Sequence, residues 1–183
     1  MMELAQLVVY GVVLGSIIAL GAIGVSMIFG ILRFAHFAHG DVMTAGAFGA
    51  YAAITALDLP LWAAAPFGLA AAVLVALVAD FAIYKRLRRA HPIILLISSF
   101  GIALILRSGI QMIWGPTNRV FESGIQIPYR IGGLVIKPDH LWIVLGTVAI
   151  IVLVHLFLSH TRMGKAMRAM ADNMDLAMVS GIP

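Results

Sequence analysis

A chain of 183 residues that is 62% hydrophobic and only 11% charged, with a mean hydropathy of +1.06, has too little polar surface to cover a soluble globule, in which about a quarter of residues would be charged. The net charge of +4 and the pI near 9.9 do not point to nucleic acid: the basic residues form no stripe interleaved with aromatic residues and cluster beside apolar segments, as topology signals do. With no cysteine in the sequence, disulfides, thiolate metal ligands and a cysteine nucleophile are excluded.

Residues 4–32 carry no charge and exceed the ~20 residues a helix needs to cross the hydrocarbon. No basic stretch precedes them and the apolar run is longer than that of a signal peptide, so this segment is expected to remain as a span. Residues 42–57 follow, bounded by Asp41 and by Asp58 with Pro60, and diluted by Gly46 and Gly49. This is the shortest segment, and a broken or re-entrant helix around 33–41 would complete it. Three further apolar segments occupy 61–84, 93–114 and 141–158. The fold class expected is all-α, a polytopic transmembrane helical bundle of about five crossings forming a single membrane domain over 1–183.

Cytoplasmic loops hold the excess of Lys and Arg. Lys85, Arg86, Arg88 and Arg89 form one such loop, and Arg162, Lys165 and Arg168 another. An even number of spans separates them, so both fit on the inner side, which places the amino terminus outside. The external loop is then 115–140. Within it Ile125, Ile127, Tyr129 and Ile131 alternate with Gln126, Pro128 and Arg130 before Gly132-Gly133, the pattern of a small hairpin.

Polar groups at membrane depth are costly and mark function. The run Arg33-Phe34-Ala35-His36-Phe37-Ala38-His39-Gly40-Asp41 is the clearest case. Histidines three apart share a helical face and Asp41 adds an oxygen, the minimal grammar of a metal or proton site. A plainer reading is an interfacial turn whose Gly40-Asp41 caps the next helix. A third suits transporters: Gly40 interrupts a span and Asp41 opens a half-helix facing a pathway. Arg107, seven residues before Trp114, reads first as a side chain snorkelling outward and second as a pathway residue. Ser98 and Ser99 read as helix-bonding serines, since no histidine is placed to make them nucleophiles.

At the other end, Met163, Met167, Met170, Met174 and Met178 recur at three- and four-residue spacing while Arg162, Lys165, Asp172 and Asp175 fall elsewhere. This describes one amphipathic helix over 161–182 with a methionine stripe. Its cations precede its acids, against the helix dipole, so the charges serve anionic headgroups or a partner.

Phe37-Ala38-His39-Gly40-Asp41 resembles the Phe-Ala-His-Gly-acid motif of the Liv-type branched-chain amino-acid ABC transporter permeases. Gly164-Lys165-Ala166-Met167-Arg168-Ala169-Met170-Ala171-Asp172-Asn173, with Ala177 and Gly181-Ile182, resembles the cytoplasmic coupling segment of the same family. His36 departs from that pattern, where asparagine is usual. The resemblance implies a permease subunit of an ATP-driven importer in the cell inner membrane, carrying branched-chain or related amino acids, and not an enzyme. His39, Gly40 and Asp41 would lie on the substrate path. Gly164, Lys165, Arg168, Ala169, Asn173 and Gly181 would contact the ATPase subunit. The implied partners are a second permease subunit, two ATP-binding subunits and an external solute-binding protein. The chain would bind no cofactor and no metal of its own, ATP being held by those partners, and it has no phosphate-cradling Gly-Lys-Ser/Thr loop. The family pattern continues past Gly181-Ile182, so the sequence is also expected to be a fragment. The competing reading from the residues alone is a stand-alone metal-ion or proton channel built on His36, His39 and Asp41.

Overall fold

The computed structural model describes residues 2–87, 90–121, 128–131 and 134–181. Arg88 and Arg89, the alternation at 125–127, the Gly132-Gly133 turn and Ile182 lie outside the described residues. In chain order the helices are α1 (Met2–Leu32), α2 (His39–Leu57) and α3 (Leu61–Ala79), which runs through a π-helical turn (Asp80–Tyr84) into α4 (Lys85–Leu87), then α5 (Pro92–Trp114), α6 (Pro138–His160), α7 (Arg162–Asp172) and α8 (Met174–Val179). A two-stranded antiparallel ribbon, β1 (Tyr129–Ile131) with β2 (Leu134–Ile136), precedes α6.

Four helical stretches, Glu3–Leu32, Leu61–Leu87, Pro92–Trp114 and Pro138–His160, are long and apolar enough to cross a membrane. Side chains such as Leu74, Phe81, Leu145 and Leu153 stand exposed on them, as a lipid solvent requires. The fifth apolar segment, 42–57, is helical as α2 but is not among these stretches, because His39, Gly40 and Asp41 occupy its first turn. Four of the five apolar segments thus meet this measure of length and composition, and α2 is a shorter and more polar helix.

The chain divides into two compact units, Met1–Leu32 with Ser123–Pro183, and Arg33–Glu122. In the first, α1 packs along α6, and Gln6 of α1 bonds to the ribbon. Gln6 Nε2 donates to Val135 O at 2.9 Å, and its Oε1 accepts from Val135 N at 2.8 Å, so the carboxamide acts as a third strand would. The register Tyr129↔Ile136, Arg130↔Val135, Ile131↔Leu134 realises the hairpin expected from alternation. Gln6→Leu removes both bonds and strands a half-buried peptide group, and the Val135 amide should exchange its hydrogen at least about tenfold faster. An unchanged rate would show that the ribbon holds without α1.

The corner from α6 to α7 is built on Thr161. Its Oγ1 donates to Phe157 O at 2.7 Å and accepts from Gly164 N at 2.9 Å, capping α7 while closing α6. Gly164 is buried there, and a Cβ on it would fall against Phe157 O and 2.5 Å from Leu158 Cα. The amphipathic segment is not one helix. It breaks at Asn173, whose backbone is extended (φ −152°) and whose Oδ1 accepts from Leu176 N at 3.1 Å as the cap of α8.

In the second unit α2 and α3 form an antiparallel hairpin with backbones in close approach. Cβ atoms placed on Gly46 and Gly68 would lie 3.1 Å from Gly68 O and 2.8 Å from Gly46 O respectively, and one on Gly49 would run into Ala71 Cβ. Ala50, Ala53 and Ala64 extend this small-residue seam, the usual means of bringing membrane helices together. A second cluster joins Phe34, Ala38 and Tyr84 to Leu95, Ile102 and Ala103.

Candidate functional site

The charged run after α1 breaks the helix, as expected around 33–41. α1 stops at Leu32, Arg33 takes φ 57°, and no helix resumes until His39. The connecting residues lie along the middle of α5. Ser99, fully buried, accepts from Phe37 N at 3.2 Å and donates to Leu96 O at 2.8 Å, and the rings of Phe37 and Phe100 meet edge to face. Two contacts then fix α2 against α5. Arg107 Nε donates to Asp41 Oδ1 at 3.2 Å, and seven residues further along each helix the rings of Phe48 and Trp114 are 5.1 Å apart. The helices therefore run parallel and in step, and α2 begins beside a point about 22 Å along α5, at 1.5 Å per residue from Pro92. Asp41 thus lies in the first turn of a helix that starts part-way along its parallel neighbour.

The Asp41 side chain is 10% exposed and that of Arg107 63%. The pair borders a cavity of about 380 Å³ whose other walls include Thr44, Phe48, Gln111, Asn118 and Arg119. Arg119 is anchored by Nη2 to Trp114 O at 2.9 Å. The cavity so combines one carboxylate, two guanidinium groups, neutral hydrogen-bonding side chains and an aromatic wall, a composition that orients a small polar solute.

Of the three residues expected on a path, Asp41 alone lines this cavity. Gly40 is exposed and a Cβ there would meet nothing within 4 Å, so no close backbone approach within the described residues demands glycine. His39 is half-buried, its ring 6.4 Å from that of His36, which in turn stacks obliquely at 5.2 Å from Tyr84. His36, His39 and Asp41 do not converge: among the described residues no group of three or more His, Cys, Asp or Glu side chains assembles that would hold a metal ion. Arg107 does not snorkel away alone, because it finds Asp41. The pairing was missed because its partner is 66 residues distant. The signal was present in the two charges, opposite in sign and each otherwise uncompensated at depth. Thr44, Gln111, Asn118 and Arg119 gave no sequence signal of their own.

In the amphipathic segment Lys165, Arg168, Asn173 and Gly181 are exposed, Ala169 is half-buried and Gly164 is buried against α6. The methionine stripe divides. Met163, Met174 and Met178 are exposed, whereas Met167 lines a groove with Met27, Gly30 and Ala171 where α7 meets α1.

A helical, polytopic membrane protein with an ion-paired polar cavity between two of its helices is the class these observations define. The chain belongs to the branched-chain amino acid transport system permease component family, whose match covers residues 7–183. It is 30% identical to the high-affinity branched-chain amino acid transport system permease protein BraD of Pseudomonas aeruginosa, over 97% of this chain and 62% of that protein. It is 28% identical to the permease protein LivH of Salmonella typhimurium and, equally, to LivH of Escherichia coli K12, over 94% of this chain and 60% of each relative. The chain thus spans about three-fifths of the length of these curated relatives. No solved structure matches it.

Proposed function

We propose that this chain is a permease subunit of an ATP-driven importer and forms part of the translocation path for branched-chain or related amino acids across the cell inner membrane. The observation that carries the reading is the Asp41–Arg107 pair beside a polar cavity in an otherwise apolar helical unit, in a chain whose relatives are named as branched-chain amino acid permeases. The chain does no chemistry on its solute and binds no cofactor or metal; ATP is hydrolysed by two partner subunits, a second permease subunit completes the path, and an external binding protein delivers the solute. If α2 crosses together with α1 and α3, a basic loop at Lys85 and Arg86 on the inner side puts the amino terminus outside.

The exposed residues Lys165, Arg168, Asn173 and Gly181, with half-buried Ala169, offer the ATP-binding subunit a surface of cations and flexible methionines, which adapt well to a groove. Gly164 serves this contact indirectly, by setting the direction of α7. The test is uptake of labelled leucine by vesicles holding the complete assembly, with and without ATP. Dependence on ATP and on all subunits is expected; uptake indifferent to ATP, or none, overturns the reading. For the contact surface, Arg168→Glu should leave insertion intact and lower recovery of the ATP-binding subunit several-fold, with the loss smaller at high salt. Full recovery would assign the exposed face to lipid headgroups.

A further inference from the structure

We propose that Asp41 and Arg107 form an exchangeable ion pair that recognises the two charged ends of a zwitterionic solute; this rests on the translocation reading and adds the means of recognition. The pair is poorly made for a purely structural role. An arginine fork matches a carboxylate best through two parallel bonds at about 2.7–2.9 Å, yet here a single bond runs from the side-on Nε at 3.2 Å. Among the described residues both terminal nitrogens of Arg107 and the second oxygen of Asp41 have no hydrogen-bond partner. The guanidinium is mostly exposed while the carboxylate is nearly buried, so the carboxylate depends on a cation and the cation can turn toward the cavity.

A solute carrying both charges can enter this pair without leaving either member uncompensated. Its carboxylate takes the terminal nitrogens of Arg107 and its ammonium takes Asp41, so one ion pair becomes two. A solute with the carboxylate alone, or with no charge, leaves the nearly buried Asp41 unpaired on opening, which is costly, and one with the ammonium alone leaves Arg107 and Arg119 without an anion. Arg119 in the same wall gives the cavity a net positive charge, which favours the carboxylate end toward the guanidinium groups. Phe48 and Ile110 supply apolar wall for an aliphatic side chain.

The sequence has no cysteine, so a single Gln111→Cys variant reports on the cavity through labelling of this chain by a thiol reagent in vesicles of the complete assembly. Leucine, isocaproate and isoamylamine share a side chain and carry both charges, the carboxylate alone and the ammonium alone. Leucine is expected to slow labelling at a concentration about tenfold or more below the other two. Arg107→Gln, Asp41→Asn and the double variant should each raise the leucine concentration needed by about tenfold or more. A structural pair would behave otherwise: the double neutral variant would keep full protection. Equal protection by the three compounds, undiminished protection in the double variant, or no protection overturns the proposal. Leucine uptake by the same vesicles separates the two readings. Uptake without protection removes this recognition site and leaves translocation standing; protection without uptake removes translocation and leaves the site.

Discussion

Gly68→Val is expected to unfold the α2–α3 hairpin more severely than any other single change on that seam. A Cβ at Gly68 meets Gly46 O at 2.8 Å, Ala50 Cβ at 2.9 Å and Ala50 N at 3.4 Å. Two of these are backbone atoms of a facing helix and no side-chain rotation relieves them. Relief requires the helices to part, which forfeits the packing of Ala50, Ala53 and Ala64. Overpacking of this kind costs about 3 kcal/mol, or a fall in Tm of roughly 10 °C for a chain of this size. The measurement is thermal unfolding in detergent, with Gly11→Ala and Gly15→Ala as controls, since a Cβ at either meets nothing within 4 Å. Those controls should not lower stability, and the exchange of glycine for alanine inside a helix should raise it by up to about 1 kcal/mol. An equal loss at Gly11 would mean that glycine content, not the seam, determines stability.

Gly164→Ala should open the corner between α6 and α7. The added methyl falls on Phe157 O and within 2.5 Å of Leu158 Cα, atoms that the Thr161 hydrogen bonds hold in place. Relieving the clash breaks the Thr161 cap, at a cost of about 1 kcal/mol for the cap and about 1–3 kcal/mol for the overpacking, and swings α7 away from α1. A direct readout is available because the Cβ built on Gly30 lies 3.8 Å from Ala171 Cβ, the mean separation in disulfides. Gly30→Cys with Ala171→Cys should cross-link efficiently on mild oxidation, and adding Gly164→Ala should reduce the yield several-fold. Undiminished cross-linking would show that the corner absorbs the methyl without moving α7.

The helices were legible because charge-free stretches of this length have few alternatives, and the hairpin because alternation and Gly-Gly act locally. The break at 33–38 was legible from its charges, since such a run does not continue a helix through lipid. Where it docks was not, because that depends on Ser99 and Phe100 of a helix some 60 residues later. Gly46 and Gly49 read as dilution of the shortest apolar segment, but α3 presents Gly68, Ala71 and Ala72 to them. The periodicity of the methionines masked the stop at Asn173: spacing continued across it while the asparagine, a strong cap residue, turned the chain. At the cavity, the setting of Asp41 marks it as functional while Arg107 reads as a solitary side chain, because only tertiary structure pairs them.

The π-helical turn at Asp80–Tyr84 introduces a phase slip into a helix that must satisfy two different neighbours. Above it, Ala64, Gly68 and Ala72 recur every four residues along the face applied to α2. Within its last residues and just after it, Ile83, Tyr84 and Leu87 turn to Phe34 and the α5 residues. One residue taken into a widened turn is worth about 100° of rotation about the axis, so the two faces need not lie on one line. Deleting a single residue between Asp80 and Tyr84 would restore regular winding and rotate the aromatic end out of its cluster while leaving the glycine seam in place. The helix is in this sense two gears on one shaft, keyed at an angle, and the key is the wide turn.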